Sequence, residues 1–267
     1  MKNKSTIDEL LPKMNRLRLM GMLPKLQEMM ADPDSLHLSH LQWLSDLFDV
    51  EIARRDGNAM NRRIKEASVK YKDACISLID FKVPRGLQKL KIQDLAECDW
   101  IRNHQNCIIT GATGCGKSYI ASALTNAACL QRFDARFVRV PRFLKRLNST
   151  HVIDREFEKT LKELRNIDLL VLDDWGIGQM DATARSDLLE IIEDRCGNAS
   201  TMITSVLPVS SWAQYINDAT YADSIMDRVV RNAHRIQIKG ESMRQSPKYG
   251  AITERVDTPT TSLQPRK

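Results

Sequence analysis

Apolar residues in the first eighty positions recur every three to four places. Leu10, Leu11, Met14, Leu17, Leu19, Leu23, Leu26, Met29 and Met30 form one such series, the period of a helix with one buried face. Pro12 and the run Gly21, Met22, Leu23, Pro24 interrupt it, which predicts two short helices joined by a turn. Asp32, Pro33, Asp34 and Ser35 read as a turn and helix start. A second amphipathic series begins at Leu38 and takes in Leu41, Leu44, Leu47, Phe48 and Ile52. Residues 81–100 carry Pro84 and Gly86 as a break, then Leu87, Leu90, Ile92 and Leu95 as a partial packing face. They read as a link, at the place where many nucleotide-binding folds cover the adenine. Beyond residue 105 the pattern changes. Short apolar runs at 106–110, 135–140, 167–172, 200–206 and 234–239 alternate with helix-like stretches at 119–130, 142–147, 157–165, 183–196, 210–217 and 222–232. That alternation predicts a parallel, doubly wound α/β sheet.

Composition sharpens this reading in three ways. The chain has 267 residues, 42% of them hydrophobic, enough for one domain with a real core and a smaller companion. Its net charge of +6 leans toward an acidic partner such as nucleic acid. Between Arg54 and Lys72 seven basic residues face two acids; such a run is either a solvated helix face or a contact to DNA phosphates. The six cysteines form no C-x-x-C pair, the usage of a reduced intracellular protein without a zinc site. No run approaches ~18 apolar residues, and the first ten lack a signal-peptide core. A cytoplasmic protein with no membrane partner is expected. From residue 246 onward the chain is rich in Pro, Thr, Ser and charge, and disorder is expected there.

Two motifs carry the chemistry. Gly111, Ala112, Thr113, Gly114, Cys115, Gly116, Lys117 and Ser118 spell G-x-x-x-x-G-K-S between a strand-like run and a helix. This is the phosphate-binding P-loop, in which backbone N–H groups and a helix N-terminus meet the phosphates of ATP. Such an octet arises by chance in about one chain of this length in a hundred. Lys117 is expected at the β and γ phosphates and Ser118 on Mg2+, with Tyr119 following directly. The second motif is the apolar run at 169–172 ending in Asp173 and Asp174, carboxylates at the C-terminal end of a buried strand. Asp173 is expected to hold magnesium and Asp174 to orient or deprotonate the attacking water. Thr204 or Ser205, ending the run at 200–206, is the candidate sensor of the γ-phosphate. Arg228, with Arg231 as second choice, is the candidate arginine finger, a cation often supplied by a neighbouring subunit.

Five stretches together resemble one family: the loop 111–118, Leu-Val-Leu-Asp-Asp-Trp-Gly at 170–176, Thr-Ser-Val-Leu-Pro-Val-Ser-Ser-Trp at 204–212, 227–236, and Gly-Glu-Ser-Met-Arg at 240–244. They look like the IstB family, AAA+ ATP-binding helpers of insertion-sequence transposition, which are similar to DnaC helicase loaders. The resemblance implies a P-loop NTPase of the AAA+/ASCE class, with a parallel five-stranded sheet and a small N-terminal all-helical domain. It implies an ATP- and Mg2+-dependent ATPase that oligomerises as a ring or filament on duplex DNA and stimulates a transposase. The N-terminal helices would touch DNA and the transposase. The expected layout is a helical DNA- and partner-binding domain at 1–80, a linker at 81–105, the ATPase domain at 106–245 and a tail at 246–267. Val206 stands where relatives often carry an amide, and Arg244 is the candidate for a second sensor because little chain remains for a lid. A replicative helicase loader is the alternative within the same fold. A small-molecule kinase fits less well, because Arg142, Lys145 and Arg146 suit a DNA-facing element better than an acceptor pocket.

Overall fold

A computed structural model describes residues 7–150, 154–240 and 242–243. It divides into two compact units, Met1–Arg62 and Arg63–Lys267.

The first unit is helical. Helix α1 (Ile7–Arg16) and α2 (Met22–Ala31) pack Met14, Met22 and Leu26 into a small core, against which Trp43 and Leu47 of α3 (His40–Ala67) lie half-buried. The turn expected at residues 32–35 is a 3-10 turn over Pro33–His37, capped by the Asp32 side chain on the Asp34 N–H. One expectation fails. Pro12 does not break the first helix; α1 runs through it. Pro12 and Asp8, whose carbonyl loses its partner, are both exposed, so the lost bond is not left in a buried place.

The second unit is a three-layer α/β/α sandwich. Strands β1 (Asn106–Gly111), β2 (Ala135–Arg139), β3 (Leu169–Trp175), β4 (Ser200–Ser205) and β5 (Ala233–Ile238) form one sheet in the order β2-β3-β4-β1-β5, every neighbouring pair parallel. Their continuous apolar character follows from burial on both faces. Along β3, Leu169 and Val171 point into one core and Leu170 and Leu172 into the other. The first face is covered by α6 (Lys117–Leu130), with α4 (Lys89–Ala96) and α5 (Asp99–Arg102). The other face is covered by α7 (Val140–Thr150), α8 (Asp154–Asn166), α9 (Ala182–Arg195), α10 (Trp212–Ile216) and α11 (Ala219–Val230).

Residues 81–105, expected as a linker, are part of this unit. Ile92, Leu95, Trp100 and Ile101 are at most 3% exposed and belong to the α6-side core, as do Val69, Ala74 and Ile79. The division therefore falls at Arg62, not near residue 80. The expected tail at 246–267 lies outside the described residues.

Candidate functional site

Because all five strands run the same way, their C-terminal ends gather at one edge of the sheet, where such folds bind ligands. β1 ends at Gly111, and the loop after it leads into the N-terminus of α6. Gly116 precedes that helix with φ 100°, a left-handed backbone that glycine adopts without strain. The loop is held from outside. The Cys115 carbonyl accepts from Arg85 Nη1 at 3.0 Å, and the Gly114 carbonyl from the Met243 N–H at 3.0 Å. In a planar trans peptide C=O and N–H point opposite ways, so the bond from Arg85 turns the Gly116 N–H away from Arg85. A Cβ on Gly114 would lie 2.1 Å from Ser242 Oγ, and one on Gly116 2.7 Å from Arg85 Nη1. Ala112 and Thr113 are exposed, and Cys115 is buried among apolar neighbours.

Lys117 is 7% exposed, and its ammonium donates to the carbonyls of Gly111 and Ala112, both at 2.8 Å. Burial is the main cause that lowers its pKa; the cation of Lys70 adds to this, while Asp173 and Asp174 oppose it. Ser118 Oγ donates to Asp173 Oδ1 at 2.7 Å, and Thr204 Oγ1 donates to the same oxygen at 2.5 Å. Asp173 is fully buried. Parallel pairing explains the meeting. β4 lies between β1 and β3, Ile109 pairs with Thr204, and Leu172 pairs with Ile203. Of the two sensor candidates, Thr204 turns to the carboxylates, whereas Ser205 donates to the Trp175 carbonyl.

Between Leu172 and Trp175 the register of β3 on β4 slips. The extra residue is taken up at the acidic pair, where Asp174 has φ 63°. This is a β-bulge, the irregularity that re-aims side chains beside active sites. It sends neighbouring carboxylates different ways: Asp173 inward to the hydroxyls, Asp174 outward. Asp174 donates its N–H to Thr204 Oγ1 at 3.3 Å, and its Oδ2 accepts from Arg139 Nε at 2.8 Å. The oxygen set of Ser118 and Asp173 suits Mg2+, a hard ion that takes few protein ligands and completes its shell with water and phosphate oxygens. Among the described residues no cluster of three or more His, Cys, Asp or Glu could hold a metal by itself.

The structure brings the loop, Lys117, Ser118, Asp173, Asp174 and Thr204 together. Tyr119 packs on Tyr71, with ring centroids 5.7 Å apart. Arg228 is elsewhere. Its backbone carbonyl accepts from Asn106 at the opposite end of β1, about 20 Å of strand away from the loop. Its guanidinium bonds Glu193 at 2.5 Å. Arg231 is exposed and pairs with Asp227 at 3.7 Å. Arg244 lies outside the described residues. Three residues of this edge escaped the sequence reading: Lys70, whose ammonium lies 3.3 Å from both Ser118 Oγ and Asp173 Oδ2, Arg139, and Arg85. Lys70 left a trace as one of the basic residues between Arg54 and Lys72, and Arg139 as a polar position in the strand-like run at 135–140.

Sheet order, loop and acidic strand end together define a P-loop nucleotide-binding protein. The model of the IstB-like ATP binding protein family matches residues 12–251, and the chain belongs to that family. A relative from Sinorhizobium fredii, named as an insertion-sequence ATP-binding protein, is 39% identical over 88% of this chain and 96% of its own length. One from Pseudomonas fluorescens, named for the insertion sequence IS1162, is 42% identical over 75% of this chain and 87% of its own. Among solved structures, DnaI aligns with a TM-score of 0.54 at 22% identity, over 64% of this chain and 90% of that one. The DnaC helicase loader aligns with 0.52 at 21%, over 62% and 97%. These two likenesses concern the fold. Among the described residues no helix is long and apolar enough to cross a membrane.

Proposed function

We propose that this chain is a Mg2+-dependent ATPase that assembles on duplex DNA and recruits or stimulates the transposase of its insertion sequence. The observation that supports hydrolysis most is the division of labour at the bulge. Asp173 is buried against the hydroxyls of Ser118 and Thr204, while Asp174 is turned away from them, its Oδ2 accepting from Arg139. In this reading the loop N–H groups and Lys117 hold the phosphates, and Ser118 and Asp173 hold the metal. Asp174 orients the attacking water and accepts its proton. A magnesium ion there would draw charge from the β- and γ-phosphate oxygens. Thr204 keeps Asp173 in register with Ser118.

Arg228 cannot reach the loop of its own chain, so a finger role requires a second copy, which is consistent with an oligomer. The DNA reading draws on the first unit, where Arg18, Arg54, Arg55 and Arg62 line one shallow groove. It draws also on α7, whose Arg142, Lys145 and Arg146 are exposed opposite the buried Phe143, Leu144 and Leu147. Arg54 and Arg55 are paired with Glu51, and Arg63 donates to Asp134 at 2.9 Å. The relatives' names favour an insertion-sequence role over helicase loading, which is favoured by fold likeness alone.

The test is Asp174→Asn, examined with ATP and duplex DNA. The variant should bind ATP, release no phosphate and leave assemblies on DNA that can be seen by electron microscopy. Hydrolysis at the parent rate removes Asp174 from its role, and failure of the parent to assemble on DNA with ATP removes the DNA reading.

A further inference from the structure

Lys70 sits where the proposed metal pair would be filled. Its ammonium lies 3.3 Å from Ser118 Oγ, 3.3 Å from Asp173 Oδ2 and 4.0 Å from Asp174 Oδ2. This is not a loose surface lysine that happens to point inward. The segment carrying it is fixed along α6 by the polar face of that helix. Ser118, Ser122 and Asn126 recur every four residues, so they lie in one row. Ser122 Oγ accepts the Tyr71 N–H at 3.4 Å and donates to the Ser118 carbonyl at 2.8 Å. Asn126 Nδ2 donates to the carbonyls of Lys72 at 3.1 Å and Ala74 at 2.9 Å. Ala67, Val69 and Ala74 anchor the segment in the core, and Ser68, with φ 53°, turns the chain out of α3. The backbone at residue 70 is thereby held on one side, while the Lys70 side chain keeps 28% of its surface in solvent.

We propose that Lys70 is a resident cation of the metal pair, holding Ser118 and Asp173 in place until a divalent ion displaces it. Magnesium bonds such oxygens at about 2.1 Å. An ion at that distance from both oxygens lies against the space the ammonium fills, and two cations so close repel. Only one of them occupies the pair. Lysine suits this part because its charge is a point at the end of a flexible stem, with a path open to solvent. Entry of the metal therefore carries the cost of moving Lys70, and Lys70 keeps a fully buried carboxylate compensated before the metal arrives.

The inference rests on the reading of Ser118 and Asp173 as metal ligands, and its test separates the two. The full chain, in excess over a slowly hydrolysed ATP analogue, is titrated with Mn2+ and the free ion is followed by electron paramagnetic resonance. Lys70→Met, which keeps the stem, should lower the Mn2+ midpoint about tenfold. Lys70→Arg, which keeps a cation, should lower the midpoint less than Lys70→Met does. Thermal unfolding of each variant checks that it is folded. A Lys70→Met midpoint equal to or above the parent's overturns the inference while leaving the metal reading intact. If Asp173→Asn binds Mn2+ as the parent does, the metal reading fails and the inference with it.

Discussion

Asp173 and Arg195 are both buried charges on one sheet, at opposite ends of it, and they are satisfied in opposite ways. Arg195, 1% exposed, closes α9 and spreads its guanidinium under the starts of β3 and β4. Nε donates to Thr201 Oγ1 at 3.3 Å, Nη1 to the carbonyls of Leu164 and Ile167, and Nη2 to those of Asp168 and Ser200. All five N–H directions are used, and four of the partners are backbone carbonyls that cannot leave. Burial brings its pKa down to about 10. Asp173 accepts instead from two hydroxyls and an ammonium, each on a side chain that can rotate away. A charge met by fixed partners staples a fold. A charge met by exchangeable partners leaves room for a ligand to take their place.

That contrast can be broken at either end. Arg195→Ala should cause the largest change, a loss of about 3–5 kcal/mol of stability, because several buried carbonyls lose their donor at once. Urea unfolding measures it, and a cost below about 1 kcal/mol would mean the strand starts hold without the staple. Asp173→Asn should leave stability within about 1 kcal/mol of the parent yet slow ATP hydrolysis at least a hundredfold, since it removes the proposed metal ligand and a buried charge together. A large stability loss without a change in turnover would erase the distinction. Thr204→Val should slow turnover about tenfold by freeing Asp173 to rotate, with nucleotide affinity held within about twofold; equal losses of affinity and rate would place Thr204 on the nucleotide instead.

The smallest effect concerns a third buried charge, in the first unit. Glu51 is 3% exposed and accepts from Arg54, Arg55 and the Gly21 N–H. The guanidinium of Arg54, then that of Arg55, brings its pKa down to about 2 from 4.5. A carboxyl whose folded pKa is depressed adds stability above its unfolded pKa and loses that addition as pH falls toward the folded one. Glu51 should therefore stabilise the protein above pH about 4.5 and progressively less down to pH about 2. Acid unfolding of Glu51→Gln should show a shallower fall across that window; a fall as steep as the parent's would remove Glu51 as a contributor.

Much of the second unit was legible because its signals are local. Buried strands are short apolar runs, and the loop and the acidic pair each lie within a few consecutive residues. What stayed hidden depends on distance along the chain. Lys70 meets Asp173 across 103 residues and Arg85 meets Cys115 across 30, and no period or motif connects them. The bulge is invisible for another reason: β3 reads as a regular apolar run, and only its pairing with β4 reveals the extra residue. Residues 81–105 misled because the turn residues Pro84 and Gly86 sit beside helices of only eight and four residues, too short to show a period. All six cysteines are free, with Cys98, Cys107, Cys115 and Cys129 buried.

The left-handed backbone at Asp174 has a genetic consequence. Asparagine and glycine tolerate that conformation, and most larger side chains do not. Asparagine is one base change from aspartate. The most accessible well-folded allele at this codon is therefore one that keeps the shape and discards the charge.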